Sequence, residues 1–199
     1  MSPRRTAEEA AGTRAALVTA ARRLFTDPGF AAATLDDVAR QAGVTRGALY
    51  HHFADKEALF AAVFEDIQVE LATRSGAAAR RATSRIDGLV RGCLAFLDAC
   101  LEPDVVRIML ADAPAVLGWN AWREIDNRYT LGSTVVAVRA AMDAGEMVRA
   151  SPEAVADVIA GALTQAGMVI GSSARPAVER RRFAIVVRHL IEGLCLFGH

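Results

Sequence analysis

The stretch TLDDVARQAGVTRGALYHHFADKEALF, residues 34 to 60, is the most informative part of this chain. It predicts two short helices joined by a tight turn, with a third helix directly behind them. Thr34 is a candidate N-cap, because its hydroxyl can accept from the backbone N–H of Asp37, which can reach back in a capping box. Gly43 permits the left-handed conformation that ends a helix, and Thr45 offers the next cap. The three-residue turn is typical of helix-turn-helix geometry.

The second predicted helix, about residues 45–52, has one face that suits a core and one that does not. At about 100° per residue, Leu49 and Phe53 share a face and point inward. The opposite face and its edges carry Arg46, Gly47, Ala48, Tyr50 and His51. Small residues let a helix approach a DNA groove closely, and polar edges can meet phosphates and bases. A two-helix corner with a glycine turn also occurs in proteins that never touch DNA, and His51 and His52 also suit a solvated surface.

Lys56 opens the third predicted helix, with Asp55 as its candidate N-cap. It is the only lysine in the chain, whose other basic residues are all arginine. A compact ammonium beside the free N–H groups of a helix start suits a backbone phosphate.

These residues closely resemble the DNA-binding domain of TetR-family transcriptional repressors, over about residues 12–65. The matching elements are Leu24-Phe25, Gly29-Phe30, TLDDVARQAGV from Thr34, residues 45–50, the Tyr50-x-His52-Phe53 signature and residues 56–59. The resemblance implies a head that binds double-stranded DNA. We expect phosphate contacts from Thr34, Thr45, Tyr50, His52 and Lys56, base-edge contacts from Arg46, Ala48 and His51, and close approach at Gly47.

Helical patterns continue along the chain, and no stretch alternates as a strand would, so the sequence predicts an all-α fold. A head at residues 11–71, with its helix-turn-helix at about 33–52, is expected to precede a C-terminal domain at 76–199, with the change of domain at Ser75-Gly76. Apart from the helix-turn-helix, helices are predicted at about 13–25, 56–73, 84–101, 104–117 with a possible break at Pro114, 119–144, 151–170 and 177–196.

The last two predicted helices are apolar on more than one side, which predicts a packing partner on each side. One partner is the domain itself, and the other is either the same helix pair of a second chain or further core. TetR-like repressors dimerise through these two helices, which implies a homodimer. Two recognition helices about 34–36 Å apart would then match a palindromic operator.

A cluster of larger residues lies in the predicted helices between residues 84 and 144: Cys93, Phe96, Cys100, Met109, Trp119, Trp122 and Tyr129. Ordinary core is one interpretation. In TetR-like repressors this region encloses a ligand cavity, and ligand binding changes the separation of the recognition helices and releases DNA. The apolar and aromatic composition would suit a small hydrophobic or aromatic ligand.

Other function classes find little support. Adjacent histidines diverge by about 100° on a helix, so no metal site is expected, and neither a cofactor motif nor a nucleophile with an orienting base indicates an enzyme. There is no run of 18 or more uncharged apolar residues and no secretory signal, so we expect a cytoplasmic protein without a membrane span. Three cysteines predict no disulfide framework. The alternative function is a DNA-binding regulator without a small-molecule ligand, controlled by a protein partner or by thiol oxidation.

Overall fold

The computed structural model describes residues 3–195, with side chains from residue 7 onward, and this part of the chain is almost entirely helical. The α-helices are α1 Pro3–Leu24, α2 Leu35–Ala42, α3 Arg46–His52, α4 Lys56–Ala79, α5 Arg85–Ala99, α6 Ala113–Arg128, α7 Thr130–Asp143, α8 Pro152–Ser172 and α9 Pro176–Glu192. Two short segments with π-helical hydrogen bonding, Phe25–Gly29 and Val105–Asp112, lie between them, and the extended backbone of Asp27 (φ −147°, ψ 118°) breaks the first. The prediction of an all-α fold is confirmed.

The first three helices form a small head around buried aromatic and aliphatic side chains. The rings of Phe25, Phe30 and Phe60 meet in pairs at 5.1–5.4 Å, a distance typical of favourable aromatic contacts. Leu17 and Leu49 are fully buried in the same core. Because Phe60 belongs to α4, this ring cluster fixes the head to the helix that leads into the rest of the molecule.

The helix α4 continues six residues beyond its predicted end at residue 73. Ser75 and Gly76, where the change of domain was predicted, therefore lie inside a continuous helix. The reason is close packing on α5, where the Ser75 hydroxyl donates to the carbonyl of Gly92 at 3.2 Å. A Cβ at Gly92 would lie 3.7 Å from that of Ser75, so the two helices approach closely at this point.

The middle of the chain also differs from its predicted helices. Pro114 makes no break, because it lies in the first turn of α6, where its missing N–H costs no hydrogen bond. The kink falls at Gly118, whose φ of 72° is the left-handed region that suits glycine. The single helix predicted for residues 119–144 is divided at Tyr129, with φ −119° and ψ −90°.

The two ends of the chain differ as well. The first helix begins at Pro3 rather than at residue 13. The last helix ends at Glu192, because the chain turns so that the Leu194 carbonyl accepts from Val148 N–H at 2.9 Å. Residue 196, the predicted end, lies outside the described residues. The predicted start of α8 is confirmed, with the Ser151 hydroxyl accepting from Ala154 N–H at 3.2 Å.

By length and composition alone, α8 is long and apolar enough to cross a membrane, the one such helix in the part of the chain that the structure describes. Glu153 and Asp157 interrupt its apolar sequence, so the helix contains no uncharged run of 18 residues. A third of its most apolar window is buried inside the fold. The core helix of a soluble protein passes the same test, so this remains weak evidence for a membrane span.

Candidate nucleic-acid interface and ligand cavity

The helix α2 begins as its sequence predicts. The Thr34 hydroxyl accepts from Asp37 N–H at 3.1 Å and donates to the Asp37 carboxylate at 2.6 Å. That hydrogen bond, helped by the nearby Arg40 guanidinium, lowers the pKa of Asp37. The carboxylate therefore returns to the hydroxyl of the cap and holds the first turn of α2 in place.

A tight turn then sets the direction of α3. Gly43 has φ 70°, and the N–H groups of Gly43 and Val44 donate to the carbonyls of Arg40 and Ala39 at 3.2 and 3.0 Å. The Thr45 hydroxyl caps α3 by accepting from Ala48 N–H at 3.2 Å. These bonds satisfy backbone groups at both helix ends, so the angle between α2 and α3 is well determined.

The helix α3 presents one face to the core and the other to solvent. Leu49 is fully buried and Phe53 is 4% exposed, as the helical spacing predicts. The predicted outward residues divide into exposed Arg46, Gly47, Tyr50 and His51 and half-buried Ala48 and His52. Thr34 and Thr45, the two caps, are also exposed at the same end of the head. The exposed surface therefore has the composition that a groove-binding helix requires.

Arg46 is held by neighbours on the protein surface. Its guanidinium lies 3.1 Å from the Asp36 carboxylate and 3.4 Å from the Tyr50 hydroxyl. The hydrogen bond with Tyr50, followed by the charge of Asp36, raises the pKa of Arg46. A contact between Arg46 and a base edge therefore requires the guanidinium to leave Asp36. This ion pair is exposed to solvent, so breaking it costs little free energy.

Lys56 is half-buried at the start of α4. Its ammonium lies 4.3 Å from the centre of the Phe30 ring and 3.4 Å from the Ala31 carbonyl. The Asp55 carboxylate caps the same helix by accepting from Ala58 N–H at 2.7 Å. The charge of Lys56 is thus positioned by a cation–π contact beside α3.

A cavity of about 180 Å³ lies in the second part of the molecule. It is lined by residues of α4 to α8 and of the second π-helical segment. Four of the seven predicted ligand residues line it: Cys93, Phe96, Met109 and Trp122. Most other lining side chains are small or aliphatic, and Ser75 and Gly76 contribute the wall from α4.

The other three predicted ligand residues do not line this cavity. Trp119 follows the Gly118 kink, which leaves it 64% exposed with its ring 5.1 Å from that of Trp122. Cys100 packs toward α8, where a Cβ at Gly167 would lie 2.8 Å from its sulfur. Tyr129 donates its hydroxyl to the Glu65 carboxylate at 2.6 Å, at the break between α6 and α7.

A polar group was missed from the sequence: Asp126 and Thr130, which line the cavity, and Gln68, which contacts both. Gln68 on α4 donates its amide to the Asp126 carboxylate at 3.0 Å. The Thr130 hydroxyl lies 2.6 Å from both Asp126 Oδ1 and Gln68 Oε1. Asp126 and Thr130 are four residues apart, a spacing from which their contact could have been predicted. Gln68 is 58 residues from Asp126, and its contact could not be predicted from local sequence.

The buried cysteines are poorly suited to thiolate chemistry. Burial raises the pKa of the Cys93 thiol to about 12. Burial, with a smaller effect of Glu102, raises the pKa of Cys100 to about 12 as well. Because the thiolate is the species that reacts with oxidants, both positions favour inert thiols.

Arg22 of α1 joins the head to the rest of the molecule. Its guanidinium lies 2.6 Å from the Asp104 carboxylate and 2.9 Å from that of Glu70. Nearby, Arg107 packs so closely on Gly29 that a Cβ there would lie 2.5 Å from its guanidinium nitrogen. The end of α1 therefore contacts both α4 and the segment that leads into the cavity wall.

The helices α8 and α9 leave large apolar side chains in solvent. The exposed residues are Val158 and Met168 on α8 and Ile185, Val186 and Leu190 on α9, with exposures of 41–65%. No other part of the described chain concentrates as many on two adjacent helices. Exposed apolar patches of this kind mark interaction surfaces.

Two family models match the chain. One, for bacterial regulatory proteins of the tetR family, matches residues 17–63. The other, for a tetracyclin repressor-like C-terminal domain, matches residues 86–194.

Curated relatives match mainly in the head. The chain is 50% identical over 64 residues to the HTH-type transcriptional regulator TtgR of Pseudomonas putida, an alignment that covers 32% of this chain and 30% of TtgR. It is 27% identical over 122 residues to the transposon Tn10 TetC protein of Escherichia coli, or 60% of each chain. The alignments thus span less than two thirds of either relative.

Solved structures match over nearly the whole chain. A TetR-family transcriptional regulator from Pectobacterium atrosepticum has a TM-score of 0.81 and 34% identity, with 96% of this chain and 98% of that one covered. RolR in complex with its ligand resorcinol has a TM-score of 0.71 and 17% identity, with 92% and 89% covered. The second likeness is one of fold alone.

Proposed function

Because the chain belongs to the TetR family of bacterial regulatory proteins, we propose that it is a homodimeric repressor that a small hydrophobic ligand releases from a palindromic operator. Membership of the family already makes it a DNA-binding transcriptional regulator with a helix-turn-helix. The outward face of α3, with Arg46, Tyr50 and His51 exposed over a buried Leu49, is the observation that carries the proposed recognition of an operator sequence.

The residues around α3 have distinct proposed roles. Contacts to backbone phosphates come from the caps and edges of the helix-turn-helix, namely Thr34, Thr45, Tyr50, His52 and Lys56. Contacts to base edges come from Arg46, Ala48 and His51, while Gly47 lets the backbone approach the groove. Lys56 suits its role because the Phe30 ring holds its ammonium at the start of α4.

The exposed apolar side chains of α8 and α9 support the dimer. Burying them against the same helices of a second chain would form a four-helix interface around a two-fold axis. Such a dimer presents two α3 helices, and a palindrome with half-sites about 34–36 Å apart would bind both.

The cavity supports the proposal of a small-molecule ligand. Its volume of about 180 Å³ exceeds the roughly 150 Å³ of an engineered apolar cavity that binds benzene. Ser75 and Gly76 place α4 in its wall, and the first turn of that helix carries Lys56. A ligand that changes the position of α4 would therefore change the separation of the heads. A coupling free energy of about 1–3 kcal/mol would change operator affinity roughly 5- to 150-fold.

Selection of binding sites from random DNA duplexes tests the DNA part of this proposal. We expect the full chain to enrich a palindrome whose half-sites are one helical turn apart. Enrichment of no sequence at all would contradict specific recognition by α3.

A regulator without a small-molecule ligand is the second candidate. The raised pKa values of Cys93 and Cys100 argue against oxidation of these two buried thiols as its signal, while the half-buried Cys195 and a protein partner stay open. Measuring the melting temperature of the protein with each of a broad panel of small lipophilic compounds separates the two candidate functions, since a ligand of the folded state raises the melting temperature. An unchanged melting temperature with every compound would favour the second candidate.

The family also bears on location and chemistry. A transcriptional regulator acts on chromosomal DNA, which supports a cytoplasmic protein. Regulators of this family are generally not enzymes, and we propose no reaction for this chain.

A further inference from the structure

Among the residues that the structure describes, Asp126 is the only charged one that lines the cavity. It is 7% exposed, and its Oδ1 accepts from the Gln68 amide and lies within hydrogen-bond distance of the Thr130 hydroxyl. Both of these partners are neutral. Within the described residues, no arginine, lysine or histidine lies within ion-pair distance of this carboxylate.

The basic residues next to Asp126 in sequence are engaged elsewhere. Arg123 pairs with Asp157 on α8. Arg128 pairs with Glu65 at 3.0 Å and Glu124 at 3.2 Å. Two arginines thus lie within three residues of the carboxylate, and the fold turns both away from it.

A carboxylate buried among apolar groups is costly unless a counter-charge or several hydrogen bonds compensate for lost water. Only Oδ1 of Asp126 has hydrogen-bond partners among the described residues. The cavity beside it has walls of Phe96, Met109 and Trp122, and the indole Nε1 of Trp122 is buried without a partner in the part of the chain that the structure describes. The site therefore combines one unpaired negative charge with aromatic surfaces, which attract cations.

We propose that the cavity binds a small lipophilic cation, an amine whose ammonium pairs with Asp126 and whose apolar body lies against Phe96, Met109 and Trp122. This inference rests on the proposed ligand-releasable repressor and names the chemistry of its ligand. The ammonium supplies the counter-charge that Arg123 and Arg128 do not.

The position of Gln68 connects this site to the head. Gln68 lies on α4, and its amide donates to Oδ1 of Asp126, which leaves Oδ2 for an incoming ammonium. A bound amine would therefore share the carboxylate with the side-chain hydrogen bond that joins Asp126 to α4. An ammonium that draws the carboxylate toward itself would weaken this link between α6 and α4, and would so connect the ligand to the helix that carries the head.

Three head groups on each of two aromatic bodies test the inference: 2-phenylethylamine, 2-phenylethanol and phenylacetate, and the three corresponding naphthyl compounds. Binding is measured by calorimetry and melting temperature on the full chain at constant pH and salt. We expect the amines to bind roughly tenfold more tightly than the alcohols, since hydrogen bonds to charged groups are the stronger ones. The carboxylates should not bind.

The Asp126→Asn variant keeps the acceptor for Gln68 and Thr130 but removes the charge, so it should lose the preference for amines. Asp143→Asn, the same change at an exposed position of α7, should keep it. Equal binding of amine and alcohol, an amine preference that survives Asp126→Asn, or no binding by any probe would overturn the inference. If the variant does not fold, the wild-type series decides alone. An amine that binds through Asp126 without releasing operator DNA would contradict the proposed release and still support this inference.

Discussion

At the scale of single residues, the two cations beside α3 are held in different ways. Arg46 lies on an exposed carboxylate, that of Asp36, while Lys56 lies over the Phe30 ring and a carbonyl. An ion pair at the surface is easily exchanged for a base edge, whereas a cation over a ring keeps its charge available to a phosphate. Arg46 therefore suits sequence recognition, and Lys56 suits general attraction to the DNA backbone.

Replacing Lys56 with alanine should weaken binding to all DNA sequences alike. One lost phosphate contact in each protomer reduces the slope of log affinity against log salt by about 0.9 per protomer. Affinity measured by fluorescence anisotropy over a series of salt concentrations gives this slope, with the exposed Arg139→Ala on α7 as a control outside the head and the proposed interface. An altered sequence preference with an unchanged slope would show that Lys56 does not contact a phosphate.

The two buried thiols should resist alkylation in the folded protein. A pKa of about 12 in place of 9.0 lowers the thiolate fraction at pH 8 about 1,000-fold. Because the pKa is raised, labelling of Cys93 and Cys100 should keep rising with pH beyond 9, where an ordinary thiol levels off. Peptide mass spectrometry after iodoacetamide treatment measures this, with urea-unfolded protein as the control. Equally fast labelling of folded and unfolded protein at pH 8 would restore thiol oxidation as a candidate signal.

At the scale of helices, the sequence predicted local features well and distant ones poorly. The Thr34 cap, the Gly43 turn and the Ser151-Pro152 start each depend on neighbours within four residues, and all three were predicted. The predicted end of α4 was wrong, because the packing of Ser75 on Gly92 keeps residues helical that form helices weakly on their own. Only part of the cavity lining was predicted. The kink at Gly118 turns Trp119 outward, and the contact of Gln68 with Asp126 depends on the fold.

Arg22 is the best test of how the helices of the head are joined to the rest. Arg22→Ala leaves the carboxylates of Glu70 and Asp104 without their shared cation, and the Arg22 side chain is only 21% exposed. We expect the free energy of unfolding to fall by about 1–3 kcal/mol. Urea denaturation measures it, with the exposed Arg188–Glu192 pair as the control, where Arg188→Ala should cost under about 1 kcal/mol. Equal effects of the two variants would mean that the Arg22 cluster does not hold the head in place.

At the scale of the whole molecule, the exposed apolar side chains of α8 and α9 and the long α4 belong to one proposed mechanism. The proposed dimer through α8 and α9 would fix the distance between two heads, and α4 would connect each head to its cavity. A ligand changes operator affinity only if it favours one such arrangement over another.

Ile185→Asp tests the proposed dimer. Ile185 is 59% exposed on α9, so the substitution costs the monomer little but places a charge in the interface. Size-exclusion chromatography with light scattering should show a folded monomer that binds operator DNA weakly. Val136→Asp on α7, at a residue that is 68% exposed, is the matched control and should stay dimeric. If Ile185→Asp also stays dimeric, the subunits meet through another surface.

The central claim, that the outward face of α3 recognises DNA sequence, is tested most directly by selecting binding sites for three proteins in parallel. Wild type should enrich a palindrome. Arg46→Ala should enrich one that has lost its preference at a single position, repeated symmetrically in both half-sites, and Lys56→Ala should enrich the wild-type sequence with lower affinity. An unchanged consensus for Arg46→Ala, together with an altered one for Lys56→Ala, would contradict the assignment of α3 as the recognition helix.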